Sequence, residues 1–132
     1  MHASLDQNRL QRCSQRLHGL NEERGGIMAW LYLVLAGAFE IGWPLGLKLG
    51  WTEAGARPLW IGFSIACMTV SGALLLLAQR DIPMGTAYGV WTGIGAVGAF
   101  AVGVLAFGDS ASAMRMISIA LIVAGIVGLK LA

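Results

Sequence analysis

One acidic side chain lies where a carboxylate can do membrane chemistry. Glu40 is the thirteenth residue of an apolar run that begins at Met28, about 18 Å along a helix rising 1.5 Å per residue. Every other Asp or Glu falls in a polar segment. A charge at that depth costs roughly 2.5 to 3.5 kcal/mol on insertion scales. Two readings fit it: a neutral, hydrogen-bonded structural carboxyl, or a site for a cation or proton. Intramembrane ionisable groups favour the second, since dry surroundings let a carboxyl hold a proton and exchange it for a cation.

Helical spacing sets Gly37, Glu40, Trp43 and Pro44 on one face, with a small residue on one side of the carboxylate and a large aromatic on the other. Pro44 lacks an N–H and should kink the helix just past Glu40. Tyr88 and Trp91, three apart, can project together and offer ring faces to a cation; as isolated aromatics they are packing residues. For Ser64, Thr69 and Ser71, spacing alone favours bonds back to their own helix. Gly85, Gly89 and Gly93 form a small-residue face for close helix approach. The pair Gly93 and Gly95 could form a bend, and Ser118 and Gly125, seven apart, make a stripe suited to a helix dimer.

Other chemistries find little support. Cys13 and Cys67 are far apart, with neither a disulfide framework nor a zinc spacing, so no metal or cofactor is expected. The net charge of +2 comes without a basic stripe, which argues against nucleic-acid binding.

The elements that must position Glu40 follow from composition. Only 12% of the 132 residues are charged and 57% are hydrophobic, against about a quarter charged in a soluble domain. Seven of the charged residues lie in residues 1–27. Beyond them, four apolar runs of about 20 residues, the length that crosses a bilayer, cover about 28–47, 59–78, 84–107 and 116–131. The fold class is therefore all-α integral membrane, with short loops joining antiparallel neighbours. Trp30, Trp51 and Trp60 fall at span ends, where such rings favour the interface. The fourth span requires Arg115 and Lys130 to snorkel.

Residues 1–27 lack the apolar core of a signal peptide and read as a disordered polar leader or a mis-set start ahead of Met28. An amphipathic helix using Leu10, Leu17 and Leu20 is weakened by Asp6, Glu22 and Glu23. From Met28 onward, the side holding both chain ends carries Arg80 and Lys130, and the other carries Lys48, Arg57 and Arg115. So small a bias permits insertion in both orientations, and opposed copies can then pair as inverted repeats do.

The segments Gly37-Ala38-Phe39-Glu40-Ile41-Gly42-Trp43, Gly46-Leu47-Lys48, Pro83 through Gly95, and Gly125 through Lys130 resemble the small multidrug resistance transporters over Met28 to Ala132. Trp43, one turn after the membrane Glu, is similar to the guanidinium-exporter branch; the polyaromatic-cation branch has Gly there. The resemblance implies an antiparallel, dual-topology homodimer of four-helix subunits in the bacterial inner membrane. It would exchange guanidinium or a small related cation for protons, without enzyme activity. By the same resemblance Glu40 is the shared proton and cation site and Gly37 makes room beside it. Trp43, Ser71 and Trp91 orient the carboxylate, and Tyr88 lines the path. Gly93 and Gly95 form the hinge, and Ser118 to Gly125 the dimer contact. Pro44 stands where the family commonly has Ala, the leader has no counterpart, and some members work as unlike pairs, which leaves a heteromeric partner open. Two alternatives accompany this reading: a broader quaternary-ammonium exporter, and a non-transporting assembly or regulatory subunit in which Glu40 is structural.

Overall fold

The computed structural model describes the backbone of residues 2–132, with side chains at 15, 16, 19 and 24–132. Four helices follow in order: α1 (His2–Gly50), α2 (Pro58–Ala78), α3 (Met84–Phe107) and α4 (Ala113–Leu131). Within α1 the stretch Arg24–Gly50, and each of the other three helices in full, is long and apolar enough to cross a membrane. The sole addition to an all-helical chain, among the described residues, is a small antiparallel ribbon. Its strands β1 (Trp51–Thr52) and β2 (Gly55–Ala56) pair Trp51 with Ala56 and Thr52 with Gly55. Gly55, at φ 112°, supplies the backbone conformation the tight turn needs.

Local chemistry explains the boundaries. Pro58 opens α2 at a position where its missing N–H costs nothing, and Arg57 before it is extended, as a residue preceding proline prefers. Pro83 precedes α3, and Gly108, left-handed at φ 68°, ends it. The third span thus matches its expected bounds of 84–107. The fourth begins three residues earlier than expected, at Ala113, because Arg115 is carried inside the first turns of the helix and donates to the Ser110 carbonyl at 3.0 Å. The first span continues past Leu47 to Gly50, with Pro44 inside an unbroken helix.

The backbone of residues 2–27 is helical and continuous with the first span, where a disordered polar leader or a mis-set start ahead of Met28 is the expectation. This stretch contains no proline and is rich in Leu, Gln, Arg and Glu, residues that adopt helical dihedrals at little cost. Cys13 and the proposed face of Leu10, Leu17 and Leu20 lie outside the described side chains.

Helix α1 is the hub, packing on α2 and α3, while α4 rests principally on α3. Glycines set the closeness of the α1–α2 seam. A methyl at Gly42 would meet Cys67 Sγ at 2.5 Å, one at Gly46 would meet Ser64 Cβ at 2.8 Å, and one at Gly50 would meet Ile61 Cγ1 at 3.0 Å. These positions, four apart, form a small-residue stripe of the kind that brings membrane helices together. The four-residue repeat expected from the sequence lies instead in α3, at Gly85, Gly89 and Gly93. There, Gly89 and Gly93 receive Leu129 and Ile126 of α4. The buried core is small, built around Leu33, Ala87 and Val90 with Trp30 and Trp91 packed against it. No residue of α4 is buried.

Candidate functional site

Glu40 sits where α1, α2 and α3 converge, and each of its carboxylate oxygens meets a donor from the chain. The indole N–H of Trp43, one turn along α1, donates to Oε1 at 2.7 Å. Ser71 Oγ, on α2, lies 3.0 Å from Oε2. On its other side the Ser71 hydroxyl accepts from the Trp91 indole N–H of α3 at 2.9 Å. Ser71 Oγ is also 2.8 Å from the Ala36 carbonyl, so its single proton has two acceptors within reach and serves one at a time. Ser71 is completely buried. The chain Trp91–Ser71–Glu40 therefore ties three helices together through one acid.

These contacts restrain Glu40 without neutralising it. Both partners are uncharged, and the salt bridge found among the described residues joins Lys48 and Asp109 instead. An ionised carboxylate offers about four lone-pair positions. Two are engaged by Trp43 and Ser71, which leaves one on each oxygen for an external donor or proton.

Packing fixes the position of the acid. A methyl on Gly95 would lie 2.6 Å from Glu40 Cγ, so Gly95 is the glycine that makes space for this side chain. Gly37, expected to make room beside the carboxylate, makes room instead for Ile94, whose Cγ2 would be 2.6 Å from a methyl there. Helix α3 runs unbroken through Gly93 and Gly95, and both are buried contact points. Tyr88 is half exposed and lies against Trp91, ring centroids 5.1 Å apart and planes tilted by 55°. The site thus places an acid, a hydroxyl, two indoles and a phenol ring along one path.

Of the three α2 hydroxyls, Thr69 bonds back to Ile65 of its own helix at 2.8 Å. Ser71 and Ser64 do not. Ser64 donates across the seam to the Trp43 carbonyl at 2.7 Å, supporting the residue that holds Oε1. The expected bond of Ser64 back to its own helix is thus replaced by one across the seam, and its offset of seven from Ser71, two helical turns, is the signal that both hydroxyls share a face. Ser118 bonds to the Met114 carbonyl at 2.9 Å, and nothing lies within 4 Å of a methyl built on Gly125. Both are on the open surface of α4, away from Glu40. Among the described residues no group of His, Cys, Asp and Glu could hold a metal ion.

Comparison with known proteins bears on the same stretch of chain. The family model for the Small Multidrug Resistance proteins matches residues 28–122. A guanidinium exporter of Citrobacter freundii is 52% identical over 104 residues, which span 79% of this chain and 97% of that protein. A guanidinium exporter of Escherichia coli K12 is 50% identical over the same extent.

Proposed function

The chain belongs to the small multidrug resistance family and is a multi-pass protein of the bacterial inner membrane, and from that premise we propose that it exports guanidinium in exchange for protons. The observation that carries this reading is the half-satisfied acid: Glu40 has one neutral donor beside each oxygen and, among the described residues, no salt-bridge partner. Guanidinium is a planar fork of N–H donors that meets a carboxylate with two parallel hydrogen bonds, matching the free lone pair on each oxygen. The names of the relatives support the same substrate.

Proton and cation compete for Glu40. Binding of guanidinium displaces the proton, and protonation releases guanidinium, so exchange follows if the empty, ionised site seldom changes sides. Trp43, Ser71 and Trp91 position the acid, Gly95 makes space for it, Tyr88 lines the path, and Gly93 together with Gly95 provides the hinge. The working unit is an antiparallel homodimer joined through the Ser118 to Gly125 face of α4. Support comes from the absence of any buried residue on that helix and from the near balance of basic residues across the membrane. Residues 28–132 form the transport domain and 1–27 a leader, a division supported by the family match beginning at residue 28. Sequencing the N-terminus of the native protein tests it.

A second reading, export of quaternary ammonium ions, draws on the exposed Tyr88 ring beside Trp91, which could face a cation that has no N–H donor. Uptake into proteoliposomes under an imposed pH gradient separates the readings. Guanidinium uptake with little uptake of a bulky quaternary ammonium supports the first. Comparable uptake of both supports the second. No gradient-driven uptake of either supports a non-transporting subunit.

A further inference from the structure

A groove opens at the membrane face on which α1 and α3 both end. Counting from Glu40, the α1 positions +1, +4 and +8 (Ile41, Pro44 and Lys48) line a cavity of about 110 Å3. Opposite them run Val102, Gly103 and Phe107 of α3, continuing the face that Gly95 presents to Glu40. The cavity far exceeds the roughly 10 to 15 Å3 that admits a single water. Lys48 lies two turns beyond Glu40, about 12 Å along the helix.

Apart from Lys48, which already places an ammonium there, the groups at this mouth suit a cation. Lys48 Nζ is 3.8 Å from the centroid of the Phe107 ring and 3.9 Å from Asp109 Oδ1. The last turns of α1 and α3 bring the negative ends of two helix dipoles to the same place. Asp109 is delivered by the helix cap: with Gly108 left-handed, the Asp109 N–H bonds to the Gly103 carbonyl at 3.1 Å. Its carboxylate then lies over Gly103, where a methyl would come within 2.5 Å of Oδ2. Yet Lys48 is held loosely. At 3.9 Å its ammonium is attracted to the carboxylate without a hydrogen bond, and both side chains are about half exposed, at 51% and 50%.

We propose that the mouth of the α1–α3 groove is an outer subsite for the transported cation, with Lys48 as its tethered competitor. The proposal rests on guanidinium being the cargo. A guanidinium ion can stack on the Phe107 face and pair with Asp109 through two donors, a geometry the ammonium of Lys48 cannot match. When Lys48 swings into solvent, the ion takes its place one groove-length from Glu40.

The test is the KM for guanidinium in proteoliposomes, at matched amounts of folded protein, for Asp109→Asn, Lys48→Gln and Phe107→Leu. Asp109→Asn should raise KM by about two- to five-fold, the scale of a half-exposed charge contact, and Asp109→Glu should restore it. Lys48→Gln should lower KM by a similar factor, and Phe107→Leu should raise it without changing any charge. If the Asp109 and Lys48 substitutions move KM in the same direction, the pair is only a strap between α1 and the α3–α4 loop, and the subsite is refuted. If Phe107→Leu leaves KM unchanged, a general field effect suffices and the subsite is again refuted. Normal uptake with either result overturns the subsite alone, whereas no guanidinium uptake by the unsubstituted protein overturns the proposed function with it.

Discussion

Helices α1 and α4 both contain a membrane-length apolar stretch, but from Gly37 onward the glycines of α1 meet different surroundings from those of α4. In α1, Gly37, Gly42, Gly46 and Gly50 each receive a side chain of α2 or α3, and a methyl on any of them would come within about 3 Å of a neighbour. In α4, Gly125 and Gly128 meet nothing within 4 Å, and large side chains such as Leu121 stand exposed. Small residues in membrane helices earn their place by permitting close approach. One helix is fitted within the subunit and carries the acid; the other presents an unfilled small-residue surface. A glycine-rich helix can therefore position a site or present a face for a neighbour, and only its contacts say which.

The largest effect expected from breaking this contrast is on α1. Glu40→Gln should fold, because a neutral isostere fits the same space, yet reduce gradient-driven guanidinium flux to background and abolish the pH dependence of binding. Full activity in this variant would reject the mechanism. Next comes the restraint from α2. Ser71→Ala removes the Oε2 donor and leaves the Trp91 N–H without its partner, a loss of about 1.5 to 3 kcal/mol for a bond to a charged group. Calorimetric titration should therefore show guanidinium binding weakened by roughly 10- to 100-fold.

Gly46→Val probes the fit of α1 rather than its chemistry. Its added carbons would meet the Ser64 side chain and backbone, with the backbone nitrogen already 3.0 Å from a Cβ at that position. Overpacking of this kind costs about 1 to 3 kcal/mol, read as a lower melting temperature in detergent. The smallest change on the subunit itself belongs to α4. Gly125→Leu should shift subunit stability by no more than about 0.5 kcal/mol, while lowering the yield of crosslinked dimer. A large loss of subunit stability there would erase the contrast between the two helices.

Much of this was legible from residue types. Glu40 stands out because burying a charge is costly, and the third span is bracketed by Pro83 and Gly108, whose backbone preferences are local. The start of α4 was harder to place, since a long Arg side chain can be carried inside a helix while its head reaches polar groups. Least legible was which side chain fills which glycine. That Gly95 rather than Gly37 borders the acid depends on how α3 is rotated against α1. The spacing of four that joins Gly42, Gly46 and Gly50 was present in the sequence, but its meaning depends on the rotation of α2 against α1. Ser64 and Thr69 likewise differ by facing a helix or facing away, a tertiary property.

The buried hydroxyl of Ser71 carries one further consequence. It has one proton to give and two acceptors near it, the Ala36 carbonyl and Glu40 Oε2. If Glu40 is protonated at Oε2, the acid can donate to Ser71 and the hydroxyl must turn to Ala36; if Glu40 is ionised, the hydroxyl can turn back. A single O–H bond thus has two settings that register the charge of the acid, and Trp91 on another helix touches the same oxygen. In the language of signals, Ser71 is a one-bit register placed between the ion site and α3.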